Sequence, residues 1–245
     1  AEGRADLATS VLVLGELVQA DPENLTFHRS LASALSRARR ADAALRVLET
    51  AERLAPESAE VAHDKALVLD LMGKHVQAIE SEKRAVVLNP AFVEAYAHLA
   101  TLYAAEGFFD LAKETVDTAI RLDSNHARAW ANRGNIARAM GQGTEAERSY
   151  ARALELKPDL VEALIGSGVL AVEAGQLDLA ADLFARALKL NGALHEARLN
   201  LAVVEFQRGR LDEAILLADG TIKDSKDPAL RTKARAFLLD VRRAR

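Results

Sequence analysis

Small apolar residues recur every 34 positions along the chain, and this period is the strongest signal in the sequence. Two alanine ladders and one glycine ladder keep the same step: Ala44, Ala78, Ala112, Ala146, Ala180 and Ala214; Ala51, Ala85, Ala119, Ala153 and Ala187; and Gly73, Gly107, Gly141, Gly175 and Gly209. A period of this length indicates units that cannot bury their apolar faces alone and must stack on their neighbours. The pattern therefore predicts a tandem array.

Within each unit the apolar positions follow a helical period. In residues 127–160 the pattern predicts two helices, at about residues 129–140 and 144–156, separated by Gly141. Small side chains on the second helix would let the pair approach closely. We expect Tyr150 to fill the space between the two helices.

Composition supports an all-helical array. Hydrophobic residues make up 50% of the chain but aromatic residues only 4%, so alanine and leucine, both strong helix formers, supply most of the apolar surface. No stretch alternates between apolar and polar residues long enough to predict a sheet. There is no run of about 18 apolar residues, as a membrane span would need. The chain has no cysteine and therefore no disulfide framework.

The repeated residues resemble the tetratricopeptide repeat family. In one unit the resemblance is carried by Trp130, Gly134, Ala146, Tyr150, Ala153 and Pro158. Six such units cover residues 25–228 and start at Leu25, Ala59, Val93, Ala127, Val161 and His195. The resemblance implies an all-α fold, a right-handed superhelical solenoid of antiparallel helix pairs.

Both ends of the chain depart from the repeat. Residues 1–24 contain, at 6–21, the second helix of a unit whose first helix is missing. We expect a simple cap or the end of a truncated array there, and the alternative is a homodimer through residues 6–21. Residues 229–245 form a helix with six basic residues and one aspartate. We expect it to be a solvated cap; an acidic partner or a membrane surface is the alternative.

The second unit places two charged residues at core positions. Lys65 and Glu82 stand where apolar or aromatic residues are usual in the family. Two charges near a core are tolerated when they pair, so the pattern predicts a Lys65–Glu82 ion pair. In the alternative, the lysine extends to solvent along its methylene groups.

Candidate catalytic and metal-binding chemistry is sparse. Residues 141–146 match a dinucleotide-binding string, but that motif needs a preceding strand and here it follows a helix. No serine has the context of a nucleophile elbow. We therefore expect no catalytic residue, no cofactor and no metal. The histidines occupy scattered repeat positions without ligand spacing: His28, His63, His75, His98, His126 and His195.

The resemblance also implies that the first helices line a concave groove that binds a peptide or protein segment. Opposite the core, the fourth unit presents four hydrogen-bond donors, and the next two units present an apolar strip beside them. The candidate peptide-binding residues are Arg128, Asn132, Asn135, Arg138, Ile165, Val169, Val172, Leu199, Asn200, Val203 and Phe206. Asparagines would bind the peptide backbone and the strip its side chains. Alternatively, these residues merely pack between neighbouring first helices.

One specialised ligand does not fit this chain. Some family members bind the C-terminal carboxylate of chaperones through a clamp of lysine, arginine and asparagine. Asn135 suits one clamp position, but Ala131, Gly166 and Glu196 stand where other clamp residues belong. The resemblance therefore does not extend to that co-chaperone function.

The expected function is a non-catalytic interaction scaffold that helps to assemble a multiprotein complex. The richness in alanine and arginine favours a bacterium, with cytoplasm and periplasm both open. The alternative is a substrate-recruiting repeat domain of a larger enzyme, for instance a glycosyltransferase. A net charge of −4 gives no general attraction for nucleic acid.

Overall fold

The structure, a computed structural model, describes the backbone of residues 2–243 and the side chains of residues 6–243, and every regular element in this part of the chain is an α-helix. The chain divides into two compact units between Ser124 and Asn125. The first contains α1 (Glu2–Ala20), α2 (Leu25–Arg37), α3 (Ala41–Leu54), α4 (Ala59–Leu71), α5 (His75–Leu88), α6 (Val93–Ala105) and α7 (Phe109–Leu122). The second contains α8 (Ala127–Ala139), α9 (Gly143–Leu156), α10 (Val161–Glu173), α11 (Leu177–Leu190), α12 (His195–Gln207), α13 (Leu211–Asp224) and α14 (Pro228–Arg243).

The helix pairs follow the predicted repeat register. The first helices α2, α4, α6, α8, α10 and α12 begin at the six positions that the sequence assigned to the unit starts. Each packs against the helix that follows it, so every repeat is a helix hairpin. The prediction of an all-α helical repeat solenoid is confirmed.

The glycine ladder lies in the turns between paired helices. Gly141 has a φ of 73°, in the left-handed region that side chains disfavour, and the other four ladder glycines have φ between 71° and 80°. The first repeat has Arg39 at the equivalent place, with a φ of 58°. Glycine there lets the chain reverse within three residues without backbone strain.

The alanine ladders form the contact between the paired helices. All eleven ladder alanines are completely buried. Between the two ladder positions, each second helix carries another buried residue: Leu48, Glu82, Val116, Tyr150, Phe184 and Ala218 in successive repeats. We call this set the central ladder. Its members differ in size, although the helix spacing around them repeats.

The first helices compensate for those differences in size. Sixteen positions before each central-ladder residue stands a small one: Ala32, Ala66, Ala100, Gly134, Gly168 and Ala202. Glycine occurs at the two places where the central ladder carries an aromatic ring. A Cβ atom on Gly134 would lie 2.6 Å from the Tyr150 ring, and one on Gly168 would lie 2.8 Å from the Phe184 ring. The rings therefore fill the volume that a side chain would take.

The predicted Lys65–Glu82 ion pair is wrong. Lys65 Nζ lies 2.7 Å from Glu52 Oε2, on the preceding helix α3, where Arg84 also bonds to Glu52. Both Lys65 and Glu52 keep partial contact with solvent, so their pairing avoids full desolvation. Glu82 instead points inward and meets two histidines.

The terminal helices pack against their neighbouring repeats. On α1, Leu14 and Val18 pack on the core of the first repeat, whereas Leu12, Val13 and Leu17 are exposed. Helix α14 covers α12 and α13 through a buried stripe: Leu230, Ala234, Leu238 and Val241. Arg245, one of the basic residues of the C-terminal segment, lies outside the described residues. None of the described helices has the length and apolar character to cross a membrane.

The size match at Gly134 can be tested directly. Replacing Gly134 with alanine should lower the free energy of unfolding by about 1 to 2 kcal/mol, because overpacking against Tyr150 outweighs the gain in helix propensity. The measurement is the urea denaturation midpoint. Gly15→Ala is the matched control, since no atom lies within 4 Å of its added Cβ. A Gly134→Ala midpoint as high as that of Gly15→Ala would contradict the size match.

Candidate functional site

Four predicted site residues lie on α8. Arg128 and Asn135 are exposed, whereas Asn132 and Arg138 are half-buried. Their spacings of three and four residues keep them on one side of the helix. Helix α8 therefore presents a row of hydrogen-bond donors on the side opposite the buried Gly134 and Ala137.

Tyr150 and Glu173 anchor two of these residues. The Tyr150 hydroxyl donates a 2.7 Å hydrogen bond to Asn135 Oδ1, and Arg138 Nη1 lies 3.0 Å from Glu173 Oε1 on α10. Burial raises the pKa of Tyr150 above its ordinary value, although the nearby Arg138 lowers it in part. The phenol thus stays a neutral donor. With its carbonyl oxygen held in this way, Asn135 keeps its amide nitrogen as the group that can donate to a peptide.

The apolar part of the predicted site is less open than expected. Ile165, Val169 and Val172 on α10 are half-buried, because they pack on a core cluster that includes Ala197 and Leu201 of α12. Packing between neighbouring first helices therefore accounts for part of their surface. The rest remains in contact with solvent.

The α12 residues of the strip differ from one another. Leu199 is buried rather than exposed, because it packs with Ala218 and Leu230 beneath α14. Asn200, Val203 and Phe206 are half-buried. The Phe206 ring meets the Phe237 ring of α14 edge to face, with centroids 5.9 Å apart. Leu199 is therefore not available to a bound peptide. Phe206 contacts the C-terminal helix α14 as well as solvent.

The structure brings together a second group of residues that the sequence did not predict. Glu82 Oε1 lies 2.7 Å from His63 Nδ1 and 2.6 Å from His98 Nδ1, and His98 Nε2 lies 3.2 Å from Asp70 Oδ2. The Glu82 side chain is 0% exposed. The expectation that the histidines are scattered without a shared site is therefore wrong for His63 and His98. We call His63, Glu82 and His98 the histidine–glutamate cluster.

Opposing influences act on the His98 imidazole. Burial by itself would lower its pKa, but the hydrogen bonds and negative charges of Glu82 and Asp70 outweigh burial and raise the pKa above its ordinary value. The signal in the sequence was Glu82, the only charged member of the central ladder. The sequence did not predict its partners, because the contact with His63 depends on side-chain direction and His98 comes from the next repeat.

Family comparisons agree with the repeat fold. Models described as tetratricopeptide repeat match residues 29–91 and 165–228, 93–126, and 127–160. The chain belongs to the tetratricopeptide repeat family. Proteins of this family are generally non-catalytic, and the fold supports a role as a protein–protein interaction scaffold. No curated protein sequence matches the chain significantly.

Solved structures share the fold at low sequence identity. The APC/C hetero-tetramer Cut9–Hcn1 matches with a TM-score of 0.84 and 18% identity over 97% of this chain and 46% of that chain. Yeast Tom70 matches with a TM-score of 0.74 and 17% identity over 98% of this chain and 60% of Tom70. YrrB is described as a tetratricopeptide repeat protein with an unusual peptide-binding site. It matches with a TM-score of 0.52 and 21% identity over 77% of this chain and 97% of YrrB. The chain thus spans less than two thirds of the first two relatives.

The Tyr150–Asn135 hydrogen bond should stabilise the second unit. Tyr150→Phe and Asn135→Ala are each expected to lower the free energy of unfolding by about 1 kcal/mol, because each removes the same bond. The double variant should then lose about as much as one of them. Urea denaturation of all four proteins forms the cycle. Additive losses would show that the bond contributes nothing to stability.

Proposed function

We propose that the protein is a non-catalytic scaffold that binds an extended peptide segment of a partner protein across α8, α10 and α12. The row of donors on α8 would hold the peptide backbone or an acidic side chain. The half-buried strip on α10 and α12 would receive its apolar side chains. Such a scaffold would serve the assembly of a multiprotein complex.

The observation that carries this proposal is the change in character along one face. Exposed Arg128 and Asn135 lie on α8, and half-buried Val169 and Val203 follow on α10 and α12. Adjacent donors and apolar surface suit a peptide, which carries backbone polar groups and side chains at alternate positions. The peptide-binding site named for YrrB gives a precedent within the same fold.

The probe for this proposal is a set of peptides selected on the wild-type protein from a random library displayed on phage. Their affinities are measured by fluorescence anisotropy with labelled synthetic peptides. Arg128→Glu should weaken binding at least about tenfold, because a negative charge replaces a donor at an exposed position. Val169→Glu should do the same by placing a charge within the strip.

Leu216→Glu is the matched control for these variants. Leu216 is strongly exposed on α13, a second helix of the same unit, so a charge there should leave both fold and binding unchanged. Phe206 is less suitable for substitution because it also holds Phe237. If Arg128→Glu and Val169→Glu keep their helical circular dichroism and bind the peptides as wild type does, the proposed surface is wrong.

A further inference from the structure

Glu82 is a buried acid with incomplete hydrogen bonding. Both histidines approach its Oε1 atom, whereas Oε2 has no hydrogen-bond partner among the described residues. A buried carboxylate oxygen without a partner costs free energy unless a donor or a cation satisfies it. Lys65, the nearest cation expected from the sequence, is engaged with Glu52. The position therefore points to another source of positive charge.

The nitrogen and oxygen atoms around Glu82 form a set of metal ligands. One atom from each of His63, Glu82 and His98 lies within 4.8 Å of the other two. Zinc bonds to histidine nitrogen and carboxylate oxygen at about 2.0 to 2.2 Å. Movements of the side chains by less than about 1 Å would open the present contacts to that geometry. Two imidazoles and one carboxylate also form a known ligand set for zinc with one open position.

The surroundings of His98 suit a metal ligand, because one ring nitrogen lies within hydrogen-bond distance of a carboxylate and the other faces the cluster. Metal-bound histidines commonly donate their second N–H to a carboxylate, which fixes the tautomer and the ring orientation. Asp70 Oδ2 stands 3.2 Å from His98 Nε2 and can accept this hydrogen bond. Nδ1 would then carry the lone pair for the metal. His63 is held by its packing against Phe92, with centroids 5.0 Å apart.

The cluster is also accessible. The side chains of His63 and His98 are 13% and 14% exposed, so one side of the cluster meets solvent while Glu82 closes the other. A hydrated ion can reach the nitrogens from that side, and a water molecule can complete four-coordination. Imidazole ligands favour zinc and similar transition metals over magnesium or calcium.

We propose that His63, Glu82 and His98 bind one divalent transition-metal ion, with zinc the best match. The site lies within the first unit and is separate from the peptide surface proposed on α8, α10 and α12. Because α4, α5 and α6 each supply one ligand, bound zinc would cross-link the second repeat to the third. A ligand that binds only the folded chain raises its stability.

Isothermal titration calorimetry with zinc chloride tests the site. The chain is first dialysed against EDTA and then transferred to chelator-free buffer. At about pH 8, we expect one zinc per chain and a higher thermal denaturation midpoint that EDTA reverses. His63→Ala and His98→Ala should each weaken zinc binding at least about tenfold. Asp70→Asn should weaken it less, since Asp70 acts only through His98.

Further variants keep the result interpretable. Glu82→Gln preserves the volume of the buried side chain and should also lose zinc binding. His126→Asn removes a histidine from the second unit, retains a side chain suited to the start of α8, and should bind zinc as wild type does. Circular dichroism checks that each variant is folded. Absence of stoichiometric binding to wild type, or equal binding by His63→Ala, His98→Ala and wild type, would overturn the proposal.

Discussion

The close approach of the two helices in each repeat is the constraint on which the rest of the structure depends. Fully buried alanines set the distance between the helices, and the central ladder fills the space between them. Because this space is narrow, a large residue on one helix requires a small one on the other. Tyr150 with Gly134 and Phe184 with Gly168 show this most clearly. Stacking of successive pairs then follows from the apolar faces that a single hairpin leaves uncovered.

The same constraint generates the two candidate sites. A central-ladder residue points from the second helix toward the first, so a polar group at its end reaches the residues of the first helix. Tyr150 delivers a hydroxyl to Asn135, and Glu82 delivers a carboxylate to His63 and His98. The other four central-ladder side chains contain only carbon and hydrogen, so they fill space without a polar contact. Polar members of the central ladder thus mark the places where a buried side chain hydrogen-bonds to a residue that contacts solvent.

The two sites differ in how well the sequence could predict them. The donors on α8 follow from helical periodicity within one unit, because Arg128, Asn132 and Asn135 recur at spacings of four and three residues. The burial of Leu199 could not be predicted, because it results from the packing of α14 on the core of the sixth repeat. The partners of Glu82 were missed since the choice between Lys65 and the histidines depends on side-chain direction. Lysine can extend to Glu52, whereas the short carboxylate cannot leave the core.

The sequence by itself determined the helical class and the register of the repeats, because a 34-residue period in small residues requires each helix hairpin to stack on the next. It also identified the chain as a helical repeat protein. Only the tertiary structure decided which side chains meet across repeats. His63 with His98, and Arg138 with Glu173, stand 35 residues apart in the chain. Their contact depends on the stacking of neighbouring hairpins, which no local pattern encodes.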